Sequence, residues 1–238
     1  MNKKYTDLFI DFDDTLYDTR GNAIIALKQL YEAFCLSEKL DSEEKFYAEY
    51  WKANTELWGQ YGRGEIKRDY LIIERFRRPL AACVVGNDEW LTEQYCLNVS
   101  DKFLDLCSVQ PGVVEGAHEL MDYLKGKGYR MHICSNGFHE VQYRKLTACG
   151  LIDYFDNIIL SEDAGANKPS AAFFDYAFSK TGAKRESTIM IGDNYNSDII
   201  GAISVGLDTI LFQRWEPVEM PAKPKYQVAK LLDIKEII

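Results

Sequence analysis

Residues 8–12, LFIDF, make a short apolar run broken by one acid, the pattern of a central parallel strand buried on both faces. Past residue 18 the spacing changes. Leu27, Leu30, Tyr31 and Phe34 recur at helical intervals, as do Phe46, Tyr50 and Leu57. Asp41 followed by Glu44 has the form of a capping box and predicts the start of the second helix there. Further helices are predicted over 66–76 and 89–106. No strand pattern interrupts them, so 18–106 reads as an all-helical insertion. After Pro111-Gly112 the chain alternates regularly. Strands are predicted over 129–134, 157–160, 188–191 and 209–212. Between and before them come helices over 114–125, 171–180 and 197–205, and one that ends at Cys149 with Gly150 as its C-cap. A Pro-containing loop over 216–225 and a closing helix over 228–238 complete the pattern. Such alternation argues for an α/β fold, a parallel sheet with helices on both faces. Its core is formed by 1–17 and 107–238, and the helical block 18–106 interrupts it as a cap.

Three acids, Asp11, Asp13 and Asp14, crowd the end of the first run. Two carboxylates about 4 Å apart repel by about 4 kcal/mol at an effective dielectric near 20, a large fraction of a domain's net stability. Something must neutralise them. In a doubly wound sheet, ligands bind at the carboxyl ends of the strands. Four sets of polar groups stand at such ends: Asp11 with Asp13, Ser135 with Asn136, Lys168, and Asp193. Residues i and i+2 of a strand share a face, so Asp11 and Asp13 are expected to face one site. Together with Asp193 and nearby Asp198 they have one evident lysine, Lys168, to balance them. Hard oxygen ligands without histidine or cysteine select a hard cation, Mg²⁺.

Composition narrows the partners. The formal charge of −9 over 238 residues argues against a nucleic-acid polymer or an anionic membrane, and leaves room for a small anionic substrate in a cleft. Six cysteines without a CxxC pair, beside three histidines, fit neither a zinc site nor a disulfide framework. Reduced thiols in a cytoplasmic protein are the expectation. Acids interrupt the first apolar run almost at once, so no signal peptide is expected, and no segment reaches the length of a membrane span.

The stretches DFDDTLYDT, ICSNGF, NKP and IGDNYNSDIIGAISVG resemble, in order, the four motifs of the haloacid dehalogenase (HAD) superfamily of phosphotransferases. That resemblance implies a Rossmann-like core with a helical cap inserted after the first strand. It implies Asp11 as nucleophile, Asp13 as general acid and base, and Ser135 and Asn136 as phosphate ligands. Lys168 would steady nucleophile and phosphate. Mg²⁺ would be held by Asp11, Asp193 and the main-chain carbonyl of Asp13, with Asp198 and Thr15 behind them. Thr15 would orient the aspartates. SNGFHEVQYRKLTACGLIDYFDNIILSEDAGANKP, FFDYAF and the cap stretch NTELWGQYGRGEI are similar to the pyrimidine 5′-nucleotidase branch, which implies a nucleoside monophosphate as substrate.

Several readings stay open. A sugar-phosphate phosphatase or phosphomutase would share every core residue. A 2-haloacid dehalogenase would have no use for Asp13 or Asp193, because a halide leaves without a proton and without a metal. A non-catalytic binding module would be free to lose an acid or Lys168, and none is lost. Asp198 is either a first-turn acid favoured by the helix dipole or a residue behind the metal ligands. Asp14 is expected to be structural. His118 and His139 are expected at the surface and His132 in the core, and the run Arg75, Arg77, Arg78 is expected on a solvated face. In the cap, Asn54 and Trp58 are four apart and share a helix face. They either read the base of a nucleotide or simply pack.

Overall fold

The computed structural model describes residues 4–215 and 219–238. Its contacts divide the chain into two compact units, Met1–Arg20 with Pro111–Ile238, and Gly21–Gln110.

In the first unit six strands form one parallel sheet: β1 (Asp7–Ile10), β2 (Arg130–Ser135), β3 (Asn157–Leu160), β4 (Thr188–Gly192), β5 (Asp208–Phe212) and β6 (Tyr226–Val228). Their order is β3-β2-β1-β4-β5-β6, and every neighbouring pair is parallel. β1 therefore lies inside the sheet, which explains its uninterrupted apolar run. Alternate residues serve opposite faces. Leu8 and Ile10 join a cluster with Leu120, Met121 and Leu124, whereas Phe9 joins Phe173, Phe174 and Ala177 on the other side.

Four helices lead from β1 towards the rest of the sheet: α1 (Thr19–Ala33), α2 (Glu43–Gly62), α3 (Arg68–Cys83) and α4 (Glu93–Ser108). Five more belong to the sheet unit: α5 (Ala117–Gly126), α6 (His139–Ala148), α7 (Ser161–Ala164), α8 (Ala171–Thr181) and α9 (Ile200–Ser204). α9 is preceded by a π-helical turn, Tyr195–Ile199.

The C-terminal region departs from the sequence expectation. Tyr226–Val228 is a strand, and Leu231–Glu236 is a 3-10 helix, where a loop followed by an α-helix was expected. Three residues are too few to show a period of two, and Gln227 between the others is exposed. Residues 216–218 of the expected loop lie outside the described residues.

The second unit is helical, built around a cluster that includes Leu27, Leu30, Phe46, Tyr50, Phe76 and Phe103. Tyr50 meets Phe76 and Phe103 with ring centroids 5.3 and 5.4 Å apart. Two local expectations are corrected here. The N-cap of α2 is Ser42, whose hydroxyl accepts from the Lys45 amide at 3.2 Å, whereas Asp41 pairs with the Lys45 ammonium. Arg75 is not on a solvated face: it is 2% exposed, donates to Ser100 Oγ at 3.1 Å and lies over the rings of Phe76 and Phe103. The position on α3, not the charge, decided its burial, because Leu71, Phe76, Pro79 and Leu80 on the same helix are also buried. Among the described residues no helix is long and apolar enough to cross a membrane.

Candidate active site

β1 ends at Ile10, but the Asp11 amide still donates to the Ile191 carbonyl at 2.8 Å and extends the ladder by one residue. The chain then turns. Leu16 N–H donates to the Phe12 carbonyl at 3.0 Å, and Asp14 takes the left-handed conformation at φ 61°. The strand has ended by then, so Asp11 and Asp13 are not neighbours within a strand, the ground on which they were expected to face one site. Their carboxylates go to different partners.

Asp11 joins Asp193 and Asp198 in a cluster whose carboxylate oxygens lie within 4.8 Å of one another. Lys168 is wired into it: Nζ donates to Asp11 Oδ1 at 2.6 Å, to Asp198 Oδ1 at 2.7 Å and to the Cys134 carbonyl at 2.6 Å. All three protons of the ammonium are used. Thr15 Oγ1 lies 3.1 Å from Asp11 Oδ2 and 3.2 Å from Asp193 Oδ1, and accepts from the Asp193 amide at 3.0 Å. It therefore links the segments that follow β1 and β4. Asp198 is fully buried and also accepts from the Asn194 amide, so its role is wider than that of a helix-end charge. Gly192 is required here, because a Cβ at that position would collide with the Asp198 carboxylate.

Asp13 has a separate set of partners. Its Oδ1 accepts from Lys145 Nζ and Thr19 Oγ1, both at 2.7 Å, and its Oδ2 accepts from Gln142 Nε2 at 2.6 Å. Gln142 reaches Ser135 Oγ as well, at 2.6 Å. Gly137 makes room for it, since a Cβ there would overlap the Gln142 amide. The Asp13 side chain is thus not among the clustered acids, and only its main chain remains as a candidate ligand. Asn136 places its carboxamide against the backbone of Lys168. Its Oδ1 accepts from the Lys168 amide at 2.8 Å and its Nδ2 donates to the Lys168 carbonyl at 3.0 Å. The carboxamide holds the backbone that carries Lys168.

These surroundings set the protonation of each group. Burial raises the Asp11 pKa well above the ordinary carboxylate range; the Lys168 ammonium opposes that rise, and the charges of Asp198 and Asp193 add to it. Burial would also raise Asp13, but the Lys145 ammonium and the hydrogen bonds to it outweigh burial and hold its pKa low. Desolvation would lower Lys168, yet the charges of Asp11 and Asp198 raise it. Asp193 is pushed up to about 7, first by burial and then by Asp198 and Asp14. Among the described residues its side-chain partners are all neutral, Thr15 and Trp215, the latter donating Nε1–H to Oδ2 at 2.9 Å. A hard, all-oxygen cluster with one acid lacking a cation suits a divalent cation such as Mg²⁺.

A family model described as haloacid dehalogenase-like hydrolase matches residues 8–206. The chain belongs to that family. YfnB of Bacillus subtilis (strain 168), a HAD-hydrolase by name, is 29% identical over 238 residues, covering 99% of this chain and 96% of its own. The crystal structure of YfnB bound to magnesium matches with a TM-score of 0.84 at 28% identity, covering 99% of both chains. The pyrimidine 5′-nucleotidase PynA of Streptococcus pneumoniae (strain ATCC BAA-255 / R6) is 28% identical over 238 residues, 98% of this chain and 95% of its own. A glyceraldehyde 3-phosphate phosphatase of Methanothermobacter thermautotrophicus is 29% identical over 204 residues, 86% of this chain and 84% of its own.

Within this HAD-like hydrolase, three charged or aromatic side chains beside the acids escaped sequence reasoning. Lys145 and Arg214 share the task assigned to Lys168 alone. Arg214 binds Asp14 Oδ1 at 3.1 Å and also pairs with Asp18. Six carboxylates are thereby met by three cations, and the balance stays negative. Trp215 is the third. Gln142 and Lys145 lie three apart on α6 just after ICSNGF, and that polar pair was the available signal. Arg214 and Trp215 follow β5 in a loop and carried none. Asn54 and Trp58 belong to the helical unit, both half-buried on α2. Tyr50 donates its hydroxyl to Asn54 Oδ1 at 3.5 Å, and Trp58 meets Tyr61 edge-on at 5.6 Å. His132 is buried, its Nε2 donating to Asp7 Oδ1 and its Nδ1 accepting from Asn157 Nδ2, and His118 and His139 are exposed.

Proposed function

We propose that this hydrolase cleaves phosphomonoesters with the help of Mg²⁺, through an aspartyl-phosphate on Asp11, and that its substrates are pyrimidine nucleoside monophosphates. One observation carries the chemistry. A buried lysine ties together two members of an acid cluster, Asp11 and Asp198, while Asp13 is held apart by its own cation. Two nearby carboxylates thereby have separate cationic partners, Lys168 and Lys145, so that each can be tuned on its own.

Asp11 attacks phosphorus as the leaving alkoxide departs, which divides a very slow hydrolysis into two easier steps. Lys168 neutralises charge on Asp11 and on the transferring group. Ser135, whose hydroxyl ends β2, is the side-chain phosphate ligand in this reading, and Asn136 serves it by fixing the Lys168 backbone. Asp11, Asp193 and the Asp13 carbonyl would hold Mg²⁺, with Asp198 and Thr15 behind them. When bound, the cation offsets the charge of the acids and of the phosphoryl oxygens. Asp13 as observed is a base, the state needed to take a proton from water in the second step. To give a proton to the alkoxide in the first step it must part from Lys145 and first take a proton from solvent, because burial without that cation favours the neutral acid.

The substrate class rests on the likeness to PynA over nearly the whole chain and on an aromatic helical unit, where Asn54 and Trp58 are the candidates to read a base. The likeness to a glyceraldehyde 3-phosphate phosphatase supports a second reading, a sugar-phosphate phosphatase. Phosphate release from UMP, dUMP, dTMP and a panel of sugar phosphates, with Mg²⁺ and with EDTA, tests both. The first reading expects Mg²⁺-dependent release with kcat/KM highest for the nucleotides. Undiminished release in excess EDTA would contradict the metal, and preference for the sugar phosphates would select the second reading.

A further inference from the structure

The indole of Trp215 is more than a third exposed, at 37%, so burial of its ring does not explain its position. It is nevertheless held at three points. The Gln213 side chain donates to its carbonyl at 2.5 Å, the Arg214 and Arg20 guanidinium groups lie 4.8 and 5.4 Å from its ring centroid, and Nε1 donates to Asp193 Oδ2 at 2.9 Å. Arg214 is itself fixed by Asp14 and Asp18. The result is a rigid N–H aimed at the one clustered acid that has neutral partners only. Asp193 is then pinned at both oxygens, Oδ2 by Trp215 and Oδ1 beside Thr15, which leaves its carboxylate a single orientation towards Asp11 and Asp198.

We infer that Trp215 is a positioning residue for the divalent-cation site, acting through Asp193. The inference rests on the assignment of Asp193 as a metal ligand. A carboxylate free to rotate must give up that freedom when it binds a metal, and a donor that fixes it beforehand removes the cost. Outer partners of metal ligands commonly change metal affinity by 10–100-fold. Trp215 does so from a loop that follows β5, 22 residues beyond Asp193.

The test is calorimetric titration of Mg²⁺ into the metal-free full-length protein and into Trp215→Phe and Asp193→Asn. Phenylalanine keeps a ring for both guanidinium groups and removes only the N–H. The expected result is a Kd for Mg²⁺ raised about 10-fold in Trp215→Phe, with the Tm in EDTA unchanged. Three of the four tryptophans, Trp51, Trp58 and Trp90, lie in the helical unit. The remaining one, Trp215, is therefore expected to supply a change in intrinsic fluorescence on Mg²⁺ addition that is lost in Trp215→Phe. Equal Mg²⁺ affinity in wild type and Trp215→Phe, with affinity lost in Asp193→Asn, would overturn the role of Trp215 and leave the metal assignment standing. Wild-type protein that binds no Mg²⁺, or an Asp193→Asn variant that binds it normally, would overturn both. A fall in the EDTA Tm with no change in Kd would make Trp215 a purely structural residue.

Discussion

The two units bury charge in opposite ways. In the sheet unit Lys168 is 1% exposed and has two carboxylates and a carbonyl around it. In the helical unit Arg75 is 2% exposed, bonds to one serine hydroxyl and two aromatic faces, and its Nε has no hydrogen-bond partner among the described residues. The sheet unit uses burial to tune ionisable groups against one another, at the cost of a net negative cluster. The helical unit uses its polar groups sparingly, inside an aromatic core. The residues proposed for the chemistry all belong to the first unit.

The sharpest way to break that division is at the nucleophile. Asp11→Asn is expected to lower kcat by about 10⁴-fold or more while its CD spectrum stays native. Residual turnover near wild type would place the chemistry elsewhere. Next come the two buried cations. Lys168→Met strands Asp11 and Asp198 in the interior and should cost about 3–5 kcal/mol by urea unfolding. Arg75→Met removes a cation that has no carboxylate partner shown among the described residues, so it should cost less than about 1 kcal/mol or stabilise the protein. Equal losses would erase the contrast between the units.

Asp13→Asn separates the two halves of the proposed reaction. Turnover of an alkyl phosphate should fall by about 10²–10⁴-fold, and the transfer step from p-nitrophenyl phosphate much less, because p-nitrophenolate leaves without a proton. Equal losses in single-turnover assays would contradict the acid role. A smaller effect is expected in the helical unit. Asn54→Ala with Trp58→Ala should lower kcat/KM for UMP or dTMP by about 10-fold and hardly change p-nitrophenyl phosphate. A uniform loss, or a lower Tm alone, would return both residues to packing.

The smallest effect is a pH dependence. The Asp193 carboxyl titrates near 7 in the folded, metal-free protein and at about 3.9 when unfolded. The folded state therefore holds the extra proton between these values, and metal-free stability should fall as pH rises through that window. Asp14, raised to about 6 by burial, adds in the same direction. Melting curves in EDTA should thus show Tm lower by a few degrees at about pH 8 than at about pH 5, with Mg²⁺ raising it most at the higher pH. A Tm in EDTA that rises over this range would refute the assignment.

Periodicity exposed the sheet because β1, β2, β4 and β5 are buried apolar runs, and the ordered motifs pointed to Asp11, Lys168, Asp193 and Asp198, whose side chains the structure brings together. What stayed hidden depends on long-range placement. The pairing of Lys145 with Asp13 spans 132 positions, and that of Arg214 with Asp14 spans 200. No local spacing encodes either. β6 was too short to show a period, and Arg75 looked solvated because its charge, not its helix face, was read. Asp13 is the most instructive case: the i, i+2 rule holds only within a strand, and the strand had already ended.

The central claim, an aspartyl-phosphate on Asp11, is most directly tested with the Asp13→Asn variant and p-nitrophenyl phosphate in Mg²⁺. This leaving group needs no proton, so the first step proceeds, while the second lacks its base. The account predicts a rapid burst of p-nitrophenol stoichiometric with enzyme, and a phosphoryl group on the peptide containing Asp11 after acid quench and mass spectrometry. Absence of both burst and modified peptide, with wild-type protein turning over the same ester, would contradict it.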